Sequence, residues 1–305
     1  MSTRRRLLLV LPTLAGLIVL VFSFLHLVPG DPVEIMLGEG AAPADLDAMR
    51  ATLGLDRPPP EQFVHFVAGL LRGDLGQSIA FRAPVSHLIA SRYPATLELG
   101  GAALLLAVVF AVPLGVLAAT HRGGAIDVAA RALGLLGICL PTLWLGPVLV
   151  LVFSMQLGWL PISGRGGLAH LVLPAVSLAA GMMGILVRLT RASVLAVLHE
   201  GYVLAARARG APPWLVTWRH IVRTALLPIV TVVGLQAGAL LAGAVVTETI
   251  FAWPGVGRLL VQAIGARDYP LVQGCVLAIG VTYVAINLAT DVLLARLDAR
   301  LRDAA

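Results

Sequence analysis

Apolar residues gather into six long runs along the chain, at about 7–28, 95–119, 132–157, 168–190, 225–250 and 270–294. Each is close to the ~20 residues that a helix needs to cross a hydrocarbon core about 30 Å thick. The pattern therefore predicts an all-α, polytopic membrane protein with about six transmembrane helices. Arg4, Arg5 and Arg6 precede the first run, as in a secretory leader. That run goes on for some 20 residues and ends in Leu27-Val28-Pro29-Gly30 with no small-residue cleavage site, so it reads as a retained signal anchor.

The polar stretches divide the chain into 1–28 (N-terminus and first span), 29–94 (an outer cap region) and 95–305 (a five-helix core). In the cap, Pro29-Gly30-Asp31-Pro32 and Pro58-Pro59-Pro60 interrupt the chain, with short helices predicted at 43–53 and 61–71. Within the core, the connection 191–224 predicts a hairpin. Tyr202 to Arg209 suit a short helix, Gly210 suits the positive φ that ends it, and Pro212-Pro213 suit the first turn of the next. With the N-terminus placed inside, the inner segments hold 14 of the 22 arginines against four acids (Asp127, Glu200, Asp298 and Asp303), and the outer segments hold eight against nine. Positive charge collects on the cytoplasmic side of membrane proteins, so both termini and the hairpin are expected there.

Composition sharpens this picture. The chain is 59% hydrophobic and 12% charged, against about 25% charged in an ordinary soluble domain, and its mean hydropathy is +0.93. Most of it must meet lipid. All 22 basic residues are arginine. Without lysine there is neither a Walker A loop nor a Schiff base, so any ATP that drives this protein is bound by another chain. The net charge of +6 follows from the arginine bias toward the cytoplasm and needs no nucleic acid to explain it. Cys139 and Cys275 fall inside apolar runs and read as packing residues. The seven histidines are dispersed, and no serine or cysteine is set beside a base, so no metal site, cofactor or hydrolytic centre is expected in this chain.

The stretch Tyr202-Val203-Leu204-Ala205-Ala206-Arg207-Ala208-Arg209-Gly210, followed by Leu227-Pro228, resembles the EAA coupling loop of ABC importer permeases. The specific likeness is to the first permease subunit of the dipeptide/oligopeptide/nickel branch. Leu53-Gly54-Leu55-Asp56-Arg57-Pro58, Arg92-Tyr93-Pro94-Ala95-Thr96-Leu97-Glu98, Arg188-Leu189-Thr190-Arg191-Ala192-Ser193 and Thr247-Glu248-Thr249-Ile250-Phe251-Ala252-Trp253-Pro254-Gly255-Val256-Gly257 carry it along the rest of the chain. Leu204 stands where the general motif has its glutamate, and Gly201 where an acid often precedes the tyrosine.

The resemblance implies import of di- or oligopeptides by alternating access, or of nickel chelates or glutathione by the same machinery. It implies a second permease subunit forming a heterodimer, two ATP-binding ATPase subunits, and an extracytoplasmic solute-binding protein, all at a bacterial inner membrane. The chain itself would be no enzyme. Tyr202, Ala205, Ala206, Arg207, Arg209 and Gly210 would form the ATPase docking surface. A rival reading from another class is an ion-coupled secondary transporter, though no internal repeat supports it. Glu98 and Glu248 sit near the outer ends of spans two and five. Each either lines an outer vestibule that favours a peptide's ammonium group, or is held by interfacial water or backbone groups. Gly234, Gly238 and Ala242 in span five offer close helix approach, within the chain or to a partner permease.

Overall fold

The computed structural model describes residues 3–27, 32–38, 40 and 42–297. Residues 29–31 of the Pro-Gly-Asp-Pro motif and the last arginines, Arg300 and Arg302, lie outside them. Helix α1 (Thr3–Leu27) is followed by the short helices α2 (Pro32–Leu37), α3 (Pro43–Leu53) and α4 (Pro59–Leu71). Prolines open all three, where their missing N–H leaves no helical bond unmade. A two-residue ladder of β1 (Gln77–Ser78) with β2 (Ala83–Pro84) then leads into the spans, paired Gln77↔Pro84 and Ser78↔Ala83. In α4, Phe63 and Phe66 pack on Phe22 of α1, with ring centroids 5.2 and 5.9 Å apart. The cap therefore rests on the first helix.

The remaining elements are α5 (Val85–Thr120), α6 (Ala125–Cys139), α7 (Thr142–Leu149, prolonged to Gln156), α8 (Leu168–Val197), α9 (Gly201–Ala208), α10 (Pro213–Leu215), α11 (Arg223–Ile250), α12 (Val256–Gly265) and α13 (Tyr269–Leu297). Among the described residues, four helical stretches are long and apolar enough to cross a membrane: α5, α8, Pro213–Ile250 and α13. The pair α6 and α7 passes the same test only when taken together, as one broken span or a re-entrant loop, and α1, with its apolar stretch Val10–Ser23, packs along α13.

Three boundaries differ from the hydrophobic pattern. The second span begins at Val85, ten residues before the predicted start, so Pro94 lies inside α5. That is tolerable because Ala90, whose carbonyl loses its helical partner to the proline, is an exposed residue. At ~1.5 Å per residue α5 is ~54 Å long and must project well beyond the bilayer. The third run, 132–157, is not one straight helix: α6 and α7 meet at 106°. Leu140, ahead of Pro141, is driven out of the helical region to φ −82°, ψ 113°. The fifth span is continuous with the second arm of the hairpin, through α10 and a widened π-helical stretch, Val216–Val222.

Small residues let these helices touch. Ala95, Ala103, Ala107 and Ala111 recur on one face of α5 and are buried with Ala175, Ala179 and Leu186 of α8. Between α6 and α8 the backbones meet directly: a Cβ on Gly184 would lie 2.2 Å from the carbonyl oxygen of Gly134, and one on Gly137 would lie 2.5 Å from that of Ala180. Neither oxygen can rotate away. Gly184→Ala is accordingly expected to push α6 from α8 and to destabilise the fold by about 1–3 kcal/mol, read as a lowered melting temperature in detergent. In α11, Gly234 and Gly238 lie against Thr290 and Tyr283 of α13, so their small-residue spacing serves packing inside this chain.

Candidate functional site

The hairpin between α8 and α11 forms for local reasons. Helix α9 stops because Gly210 takes φ +79°, a conformation that glycine adopts without steric penalty. The Gly210 N–H bonds to the Arg207 carbonyl (2.9 Å) and the Ala211 N–H to that of Ala206 (3.2 Å), which closes the helix end. Pro213 then opens α10. Val203 and Ala206 turn inward, joining Val116 and Ala119 of α5, Val194 of α8 and Ile229 of α11 in one apolar cluster. Ala206 thus faces the spans, unlike the other residues of the predicted docking surface. It is 5% exposed because it sits three residues after Val203, on the face that α9 presents to the spans.

Tyr202, Ala205, Arg207, Arg209 and Gly210 are exposed together. The Tyr202 hydroxyl donates to Thr224 Oγ1 at 3.0 Å, which in turn donates to the His220 carbonyl, so the first arm is tied to the root of α11. Arg209 Nε donates to the Ala205 carbonyl at 3.2 Å. Leu204, Trp214 and Trp218 extend this surface with exposed apolar area that motif matching did not single out. The Pro213-Trp214 step and the four-residue interval to Trp218 were the available signal.

At the opposite end of the helices, Glu98 and Glu248 have different fates. Glu98 is partly exposed and is held by Arg165, whose Nε and Nη2 reach its Oε2 at 2.9 and 2.5 Å. The Arg165 guanidinium also lies 5.9 Å from the ring centre of Trp253. Glu248 is fully buried. Its Oε1 accepts from Thr96 Oγ1 (2.7 Å) and its Oε2 from the Arg258 N–H (2.9 Å). Thr96 in turn accepts from the Val256 N–H (2.8 Å), and the fully buried Trp253 donates its indole N–H to the Ala95 carbonyl (2.8 Å). Glu248 therefore does not face a vestibule in this structure. It fastens the segment between α11 and α12 onto α5, through one side-chain and one backbone partner.

Asp268, to which the sequence assigned no individual role, does a similar task. Fully buried, it accepts from Ser78 Oγ (2.5 Å) and the Ala80 N–H (3.0 Å) of the β-hairpin, and from the Leu271 N–H (3.2 Å) in the first turn of α13. Its signal was its place just before Tyr269-Pro270, where an acid caps a helix that proline opens. Among the described residues no group of three or more potential metal ligands comes together.

The model of the family "binding-protein-dependent transport system inner membrane component" matches residues 111–303, and that of the family's N-terminal part matches 3–100. The chain belongs to this family. The permease is 41% identical to the dipeptide transport system permease protein DppB of Escherichia coli (strain K12), over 98% of this chain and 97% of that one. It is 42% identical, over the same shares, to the glutathione transport system permease protein GsiC of Pectobacterium atrosepticum. Among solved structures, an inward-facing MetNI methionine ABC transporter matches with a TM-score of 0.57 at 18% identity, covering 69% of this chain and 96% of that one. An amino acid ABC transporter matches with 0.51 at 20%, covering 71% and 95%. Those two likenesses concern the fold. The permease is thus a multi-pass inner-membrane subunit of an ABC importer. It is not an enzyme, ATP hydrolysis belonging to separate chains, and the secondary-transporter alternative falls away.

Proposed function

We propose that this permease imports small peptides by alternating access at an interface with a second permease subunit. Two ATPase subunits dock on the α9–α10 hairpin, and an extracytoplasmic solute-binding protein delivers the substrate. The observation that carries the substrate class is end-to-end similarity at 41–42% to permeases named for dipeptides and for glutathione, itself a small peptide. The hairpin and both termini lie in the cytoplasm on this reading, which accords with the arginines of that side. Helices α2 to α4, the β1–β2 hairpin and the first turns of α5 form the outer cap.

Docking rests on Tyr202, Ala205, Arg207, Arg209 and Gly210, with Leu204 and Trp214 supplying apolar area beside the two arginines. Because α10 runs unbroken into α11, a push on the hairpin turns a span directly, as a rigid lever. Glu98 with Arg165 marks the outer mouth of the pathway. A half-exposed pair of this kind contributes at most ~1 kcal/mol of stability. Glu98→Gln should therefore melt within ~1 kcal/mol of the wild type while peptide uptake falls severalfold; unchanged uptake would remove Glu98 from the pathway.

The deciding experiment is a detergent pull-down of the wild-type permease, with mass spectrometry of the retained chains, followed by ATP-driven uptake in proteoliposomes containing the binding protein. Retention of ATPase chains and a second permease, with uptake of a labelled dipeptide, is the expected result. Uptake of glutathione or a nickel chelate in place of the dipeptide would redirect the substrate assignment.

A further inference from the structure

Asp127 lies at the hairpin end of the helices and takes no part in the docking surface. It stands in the first turn of α6, yet its side chain is 1% exposed. Arg191 of α8 grips it with a fork, Nε to Oδ1 at 2.6 Å and Nη2 to Oδ2 at 2.9 Å. The Gly123 N–H, in the turn between α5 and α6, donates to Oδ2 at 2.9 Å, and Arg131 Nε stands 3.3 Å from Oδ1. One carboxylate thus joins the α5–α6 turn, α6 and α8. Such forked, charge-assisted bonds hold both the distance and the relative orientation of the elements they join.

The position of this clasp is informative. The second arm of the hairpin is continuous with α11, and the first arm joins α8 through Leu198–Glu200. Helix α6 is not adjacent to the hairpin in the chain, being separated from it by α7 and α8. Its contacts with α8, the helix that leads into the hairpin, include the clasp and the backbone-to-backbone seam along Gly134–Gly184 and Gly137–Ala180. Arg191 sits six residues before the end of α8, next to Thr190, which fills the space beside Gly115 of α5.

We propose that Asp127 is a positioning residue of transport: through Arg191 it makes α6, and so the bent pair α6–α7, follow the hairpin when the ATPases close. This rests on the reading that ATPases dock on the hairpin. Without the clasp the hairpin still moves α11 and α8, so ATP is still hydrolysed, but α6 lags and substrate is not passed on.

The test uses the whole importer in proteoliposomes and measures solute transported per ATP hydrolysed, together with retention of the ATPase chains. In Asp127→Asn and in Arg191→Lys, which keeps the charge but loses the fork, that ratio is expected to fall about tenfold with the complex intact. Asp127→Asn combined with Arg191→Gln should be no worse than Arg191→Gln alone, because both act through one contact. Should Asp127→Asn fail to accumulate, Arg191→Lys decides by itself. An intact complex with an unchanged ratio in Arg191→Lys, or losses that multiply in the double variant, overturns the clasp. A wild-type permease that retains no ATPase overturns the docking reading beneath it.

Discussion

Gly210→Val is expected to abolish peptide uptake while leaving the spans folded. At φ +79° the backbone of residue 210 is left-handed, which strains an L side chain by roughly 1–2 kcal/mol, and a β-branched one most. The effect is purely conformational, since a Cβ there would meet no heavy atom within 4 Å. The chain escapes the strain by opening the turn, which swings α9 away from α10 and breaks up the surface formed by Tyr202, Ala205, Arg207 and Arg209. Melting of the permease should fall by no more than the strain itself, ~2 kcal/mol, while ATPase chains are lost from the pull-down and uptake drops more than tenfold, the factor that ~1.4 kcal/mol of lost docking produces. Gly210→Asn should keep most activity, because asparagine tolerates the left-handed region. A Gly210→Val permease that still holds its ATPases would show that the hairpin is not the docking element.

Glu248→Ala is expected to be strongly destabilising, through the contacts its carboxyl makes with α5 and α12. Removing the carboxyl leaves the Thr96 hydroxyl and the Arg258 N–H without their acceptor in a fully buried site. Each orphaned buried donor costs about 1–3 kcal/mol, so a loss of about 4 kcal/mol is expected, with the lost side-chain volume adding to it. The neighbouring glycines sharpen the case. A Cβ on Gly255 would lie 2.2 Å from the Glu248 carboxyl, so the loop is wrapped around this group and cannot close over a hole without moving. Glu248→Gln, which keeps the shape and one acceptor oxygen, should lose less than half as much. Thermal unfolding in detergent, followed by tryptophan fluorescence, to which the buried Trp253 contributes, reads both variants. Equal melting of Glu248→Ala and wild type would mean that the 247–258 segment is not held to α5 by this group.

The hairpin was legible in the sequence because each of its signals acts within a few residues. Glycine at a left-handed position and proline at a helix start are chosen by local sterics, and the turn follows from them. The long apolar helices were legible because the hydrocarbon core demands uninterrupted apolar length, although four of the six predicted runs, or five with the bent pair α6–α7, are long and apolar enough among the described residues. The break at Pro141 shows the limit of that signal. The apolar run continues through it, and only the dihedral restriction on Leu140 marks the bend. The extension of α5 back to Val85 was hidden for the opposite reason: those residues are polar enough to lie beyond the membrane, yet the helix continues.

The roles of the carboxyls were beyond any local pattern. Glu98 and Glu248 looked alike as acids near span ends, but one pairs with Arg165 at the surface and the other is enclosed by Thr96 and the α12 backbone. Asp127 finds Arg191 64 residues away, and Asp268 finds Ser78 190 residues away. Ala206 points into the spans although its neighbours Ala205 and Arg207 point out. Local residue choice thus settles which segments are helices, where they turn and that they cross a membrane, since each of these depends on interactions along a short stretch of chain. Which polar group is paired, and which small residue is a surface or a seam, depends on what another helix brings within 3 Å; that is fixed by packing between segments far apart in the chain.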